Sequence, residues 1–157
     1  MFRTVVVLAK VLAVGGAAAS ALVHFTTFTG VALVFSGRIL ALAVLAAFPL
    51  GGFAILLLLR VGRTYRVWGN HQLTFVRQRT PKPLRVLTDI VFVYALICFA
   101  VSYVVRSSTI VGSLAASAFV AWFHLVFTGV FSVSLGDPRI VRPRPRSGEH
   151  CAPPSLN

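Results

Sequence analysis

RVGRTYRVWGNHQLTFVRQRTPKPLR, residues 60–85, carries Arg60, Arg63, Arg66, Arg77, Arg79, Lys82 and Arg85 and not one acidic residue. Long apolar stretches flank it on both sides, and each of those is followed or preceded by another. A basic connector placed midway among four apolar runs indicates both a fold and an orientation, because lipid accepts apolar helices and a membrane sorts positive charge to one side.

The chain has 157 residues, 57% of them hydrophobic and only 11% charged. A soluble domain of this length has too little interior to hide that much apolar surface. A membrane span needs about 20 apolar residues at about 1.5 Å rise each. Four stretches meet this, at about residues 5–28, 39–59, 86–105 and 110–135. The expected architecture is all-α: an integral membrane four-helix bundle over residues 1–137, running up-down-up-down, followed by a Pro/Arg-rich tail over 138–157.

The net charge of +12 is unevenly placed. Besides the central connector, the tail holds Arg139, Arg142, Arg144 and Arg146, and the amino terminus Arg3 and Lys10. The two opposite connections offer only Arg38 and Arg106. With an even number of spans, the termini and the central connector share a side, and the positive-inside rule makes that side cytoplasmic. The expected location is a bacterial inner (plasma) membrane, crossed several times. Arg60, Arg63, Arg66, Trp68, Arg77, Arg79, Lys82, Arg85, Arg142, Arg144 and Arg146 are then the expected contacts with anionic lipid headgroups or with a partner subunit. No nucleic-acid-binding module accompanies the charge, so nucleic acid is not an expected partner. Cys98 lies in the third span and Cys151 in the tail, so the two cysteines cannot pair.

Met1-Phe2-Arg3, an apolar run and Ala19-Ser20-Ala21 outline a signal peptide, but Lys10 interrupts the apolar core, and the segment reads as an uncleaved span. Within it, Gly15 with Ala19 and Gly16 with Ser20 form two small-residue faces of the kind that let helices approach closely in lipid. Ala43, Ala47 and Gly51 repeat the device in the second span, and Ser113, Ser117 and Ala121 in the fourth. The third span, IVFVYALICFAVSYVV (90–105), is bulky and aromatic, so spans one, two and four are expected to pack tightly and the third to face lipid or a partner. Pro49 predicts a kink in the second span.

In the connector, Arg60, Arg63 and Arg66 extend the second helix into the headgroup region, Trp68-Gly69-Asn70 ends it, and Pro81 with Pro83 postpones the next helix to about Leu84. Thr88 and Asp89 are expected in the first turns of the third span, where a carboxylate is favoured. Gly136-Asp137-Pro138 stops the fourth.

The acids are Asp89, Asp137 and Glu149, all at or beyond the cytoplasmic boundary. Paired-carboxylate chemistry and a Ser-His-Asp arrangement within the membrane are therefore excluded, and no metalloprotease, nucleophile-elbow, phosphate-loop or dinucleotide motif is present. No catalytic residue is assigned. His24 and His124, ionisable groups in apolar context, are the candidate cofactor-binding residues. Met at one depth, they would ligate a b-type haem. If the first span starts near Val5, His24 lies near the outer boundary and His124 near the middle; if Lys10 marks the inner edge, the depths match. Thr26, Thr27, Thr29 and Gly30 read as a helix end at an interface, which favours the first register and two separate, structurally bonded histidines. No cofactor is expected in that register. His71 and His150, in basic segments, are expected to be solvated.

HFTTFTG at 24–30 and TPKPLRVLTDIVFVYALICFAVSYV at 80–104 resemble a group of small uncharacterised bacterial membrane proteins. That group has a His-x-x-Thr-Phe-x-Gly stretch after the first helix, matched by His24, Thr27, Phe28 and Gly30. Its third helix opens with a Pro-Lys-x-(Leu/Met)-Arg segment and a Tyr-Ala run, matched by Pro81, Lys82, Leu84, Arg85, Tyr94 and Ala95. The likeness ends at the fourth span, where AWFHLVFTG (121–129) keeps only His124 in register. The resemblance implies four helices and points to the two histidines.

Three functions follow as expectations. The leading one is a non-catalytic accessory or structural subunit of a larger, energy-transducing membrane complex, respiratory or photosynthetic. The alternatives are a haem- or quinone-binding electron carrier using His24 and His124, and a small transporter or channel hinged at Pro49.

Overall fold

The computed structural model describes residues 2–30, 36–105, 109–137 and 140. Among these residues the chain is all-helical: α1 (Phe2–Phe28), α2 (Ser36–Tyr65), α3 (Asn70–Arg79), α4 (Lys82–Val104) and α5 (Thr109–Gly136). Four of them, all but α3, are long and apolar enough to cross a membrane.

Helix α5 is the hub, with contacts to each of the other four helices. Its sequence explains this role. Ala115, Ser117, Ala118 and Ala121 are small and buried, so neighbouring backbones come close where no hydrophobic drive separates protein from lipid. Helix α1 offers Val6, Ala9 and Ala13 and α2 offers Leu50, Ala54, Leu57 and Val61 to a core completed by Val130, Phe131 and Val133. Gly16 of α1 lies against His124, whereas His24 lies against Ser117, so α1 and α5 run in opposite directions along their contact. Helix α4 rests mainly on α5 through Phe92 on Trp122 (ring centroids 4.8 Å apart) and Phe99 on Phe119 (5.9 Å). Ala95 alone among its residues is buried. The third span is thus the outlying one, as its bulky side chains predict.

Several expectations are corrected. Residues 70–79 are not loop but α3, whose Val76 is buried and whose carboxyl-terminal cap, Thr80, donates its hydroxyl to the Val76 carbonyl. Helix α4 starts at Lys82 rather than near Leu84, because proline in a first turn has no amide to leave unpaired and already has a helical φ. Asp89 therefore falls two turns inside α4, where Arg77 Nη2 holds it at 2.7 Å in place of the helix end. Ile140, assigned to the tail, is fully buried in the core, and its amide reaches the Asp137 carbonyl. Arg142, Arg144 and Arg146 lie outside the described residues, as do Arg106, Glu149, His150 and Cys151. Pro49 sits at an exposed position inside an uninterrupted α2.

Candidate functional site

Helix α1 ends as its threonines predict. Thr26, Thr27 and Thr29 return their hydroxyls to carbonyls of the preceding turn, and Gly30 adopts φ +71°. One turn before this end, His24 reaches across to two other helices. Its Nδ1 lies 3.1 Å from the Leu114 carbonyl oxygen and 3.0 Å from Ser117 Oγ. A carbonyl only accepts, so Nδ1 carries the proton, and Nε2 accepts from the Tyr94 hydroxyl at 2.8 Å. The two rings meet edge to face with centroids 5.3 Å apart. Three spans are tied together by one imidazole. Nothing in the sequence pattern paired Tyr94 or Ser117 with His24, since they lie 70 and 93 residues away.

His124 is arranged differently. It is completely buried, and its Nδ1 donates to the Val120 carbonyl at 2.8 Å, one turn back on its own helix. Nε2 is left with a lone pair and, among the described residues, no hydrogen-bond partner. The ring sits on the bare backbone of Gly16: a Cβ built there would overlap Cδ2 and Nε2 of the imidazole. Sequence reasoning saw Gly16 as one small residue among several. The structure makes it the seat of a histidine.

The two histidines are not brought together. From Gly16 to His24 along α1, and from Ser117 to His124 along α5, the rise is about 10–12 Å. An iron shared between imidazoles needs a nitrogen on either side within bonding distance, and at this offset the pair cannot supply it. Phe2 sits 4.7 Å beneath the Arg60 guanidinium, placing the start of α1 level with the basic end of α2. Among the described residues no three metal-ligating side chains gather.

At the basic end, two of the expected lipid or partner contacts form ion pairs within the chain while their side chains stay about half exposed or more. Arg77 pairs with Asp89, and Arg79 pairs with Asp137 at 3.0 Å while stacking over Phe75 (4.5 Å) and Tyr65 (5.0 Å). These arginines fasten α3 across the ends of α2, α4 and α5. Arg63, Arg66, Trp68 and Lys82 stay exposed, as does His71, and Arg85 is half-buried. Spacing held a signal for α3: Phe75 and Arg79 lie one turn apart, Leu73 and Val76 share a face, and basic residues fill its last turn.

Comparison with protein-family models, with curated proteins and with solved structures finds no match.

Proposed function

We propose that this chain is a non-catalytic accessory or structural subunit of a larger protein assembly in a bacterial plasma membrane. In this reading its four spans run up-down-up-down, with both termini and the connection between α2 and α4 in the cytoplasm. The reading is supported above all by the outer surface of α4. Leu87, Ile90, Val93, Ile97 and Val101 are all exposed, and in their midst the Tyr94 residue is 42% exposed. The Tyr94 hydroxyl gives its proton to His24 and has the Cys98 thiol one turn on within hydrogen-bonding reach, so a short polar strip opens on this otherwise apolar face, as suits contact with a neighbouring helix. The inward groups add to this, because both histidines are committed to protein partners through Nδ1 and, among the described residues, no carboxylate bonds to them. The separation of the histidines weighs against a haem carried between them.

Purification in mild detergent tests the proposal. The chain is expected to elute with other membrane polypeptides in fixed stoichiometry, and Tyr94→Phe to loosen that association. A chain that always elutes alone at monomer mass refutes it.

A further inference from the structure

A second site lies at the basic end, independent of any partner subunit. A cavity of about 180 Å³ opens where α3 crosses α4 and α5. Its walls are aliphatic, from Leu73 and Val76 on α3 and Leu125, Val126 and Val130 on α5. Arg85, Arg77 and Asp89 also line it. The volume is below the range of about 300–1,000 Å³ typical of sites for cofactors and drug-sized molecules. A space of that size with aliphatic walls takes part of one acyl chain rather than a whole ligand.

The polar lining is selective by what it can donate. The Thr80 and Thr88 hydroxyls have given their protons to the carbonyls of Val76 and Leu84, so they can only accept. Arg77 spends one nitrogen on Asp89. The Arg85 guanidinium makes no ion pair or side-chain hydrogen bond among the described residues, although its backbone amide bonds to Pro81. The donors left to a ligand are therefore guanidinium groups, and they call for an anion. Their position fits a headgroup: Arg85 is about 5 Å along α4 from its start, and Gly129, on the cavity floor, about 10 Å from the end of α5.

We infer that this cavity binds an anionic phospholipid, with the headgroup phosphate on Arg85 and one acyl chain along Val126 and Val130. Arginine suits phosphate because its fork offers two parallel donors.

The test uses the full chain, purified from membranes and exchanged into nanodiscs of phosphatidylcholine with a minor fraction of phosphatidylglycerol, the retained lipid being read by native mass spectrometry after detergent release. One phosphatidylglycerol per chain is expected to be retained, about fivefold over its share in the nanodisc, a preference that one interfacial arginine can supply. Arg85→Gln keeps the cavity and removes the charge; Val126→Phe keeps every charge and fills the cavity. Both are expected to lower the preference to about that of phosphatidylcholine while the helical circular dichroism is unchanged. Leu73→Phe, on an exposed turn of α3, replaces Val126→Phe if that variant does not fold. Equal retention of the two lipids by the wild type overturns the inference. So does undiminished retention by a cavity-filling variant, which would show diffuse attraction to a basic surface. Retention of added oleate in place of the phospholipid also overturns it.

Discussion

The contact between Gly16 and His124 makes the sharpest forecast. Alanine at Gly16 would overlap its Cβ with Cδ2 and Nε2 of the imidazole, and that ring is fully buried, so it cannot swing out into solvent. Relief requires either that α1 and α5 separate or that the ring turns and gives up its bond to the Val120 carbonyl. Overpacking of this kind costs about 1–3 kcal/mol, and a hydrogen bond between groups in lipid is worth about 0.6 kcal/mol on average. Opposing these, alanine is the better helix former by about 1 kcal/mol. Gly16→Ala should therefore destabilise by about 0.5–2.5 kcal/mol net, most of it from the steric clash. The neighbouring Gly15 has no atom within 4 Å of a built Cβ, so Gly15→Ala should be neutral or stabilise by up to about 1 kcal/mol. Unfolding by SDS in mixed micelles measures both. Trp122, packed against Phe92 and Phe123, reports on α5 once exposed Trp68 is replaced by phenylalanine. The clash should vanish when the ring is removed, so Gly16→Ala in a His124→Ala background should cost at least 1 kcal/mol less than in the wild type, well outside the additivity error of about 0.5 kcal/mol. Equal costs in the two backgrounds, or a Gly16→Ala protein as stable as the wild type, would refute the packing account.

Tyr94→Phe removes the donor to His24 Nε2 and should destabilise by about 1 kcal/mol in the same assay, with no further loss when combined with His24→Ala. Arg79→Ala removes the Asp137 ion pair and the stacking on Phe75 and Tyr65; because that arginine is half exposed, the global effect should stay near about 1 kcal/mol, but amide exchange across residues 70–79 should rise selectively. Arg66 holds φ 54° just beyond the end of α2, where the Val67 amide closes back on the Gly62 carbonyl, so Arg66→Gly should stabilise by about 1 kcal/mol; a loss of stability would show that its side chain matters more than its backbone. Cysteine labelling at Arg63 and at Arg38 in sealed vesicles should mark opposite faces, and labelling of both from one side would overturn the proposed orientation.

Much of the fold was legible because hydropathy is a sum along the chain. Each expected span lies within a helix to within about one residue, and stops at Thr29-Gly30 and Gly136 fall where residue chemistry places them. Helix α3 escaped because a ten-residue helix with one buried side chain has no hydropathy signal, and because Pro81 and Pro83 read as breakers when they are a helix start. His24 and His124 were found as ionisable groups in apolar context, but their partners were not, because the groups that satisfy them lie on other helices or on their own backbone.

By itself the sequence determined the number and length of the apolar helices, the lopsided charge, the outlying third span and the scarcity of acidic residues, since each follows from residue type summed over neighbours. Only the tertiary structure decided which of the two small faces of α1 is buried. Gly15 and Gly16 are a single residue apart and equally bare, and about 100° of rotation separates the faces they open. The volume of one imidazole on α5 selects between them, and a volume on another helix leaves no trace in the local pattern.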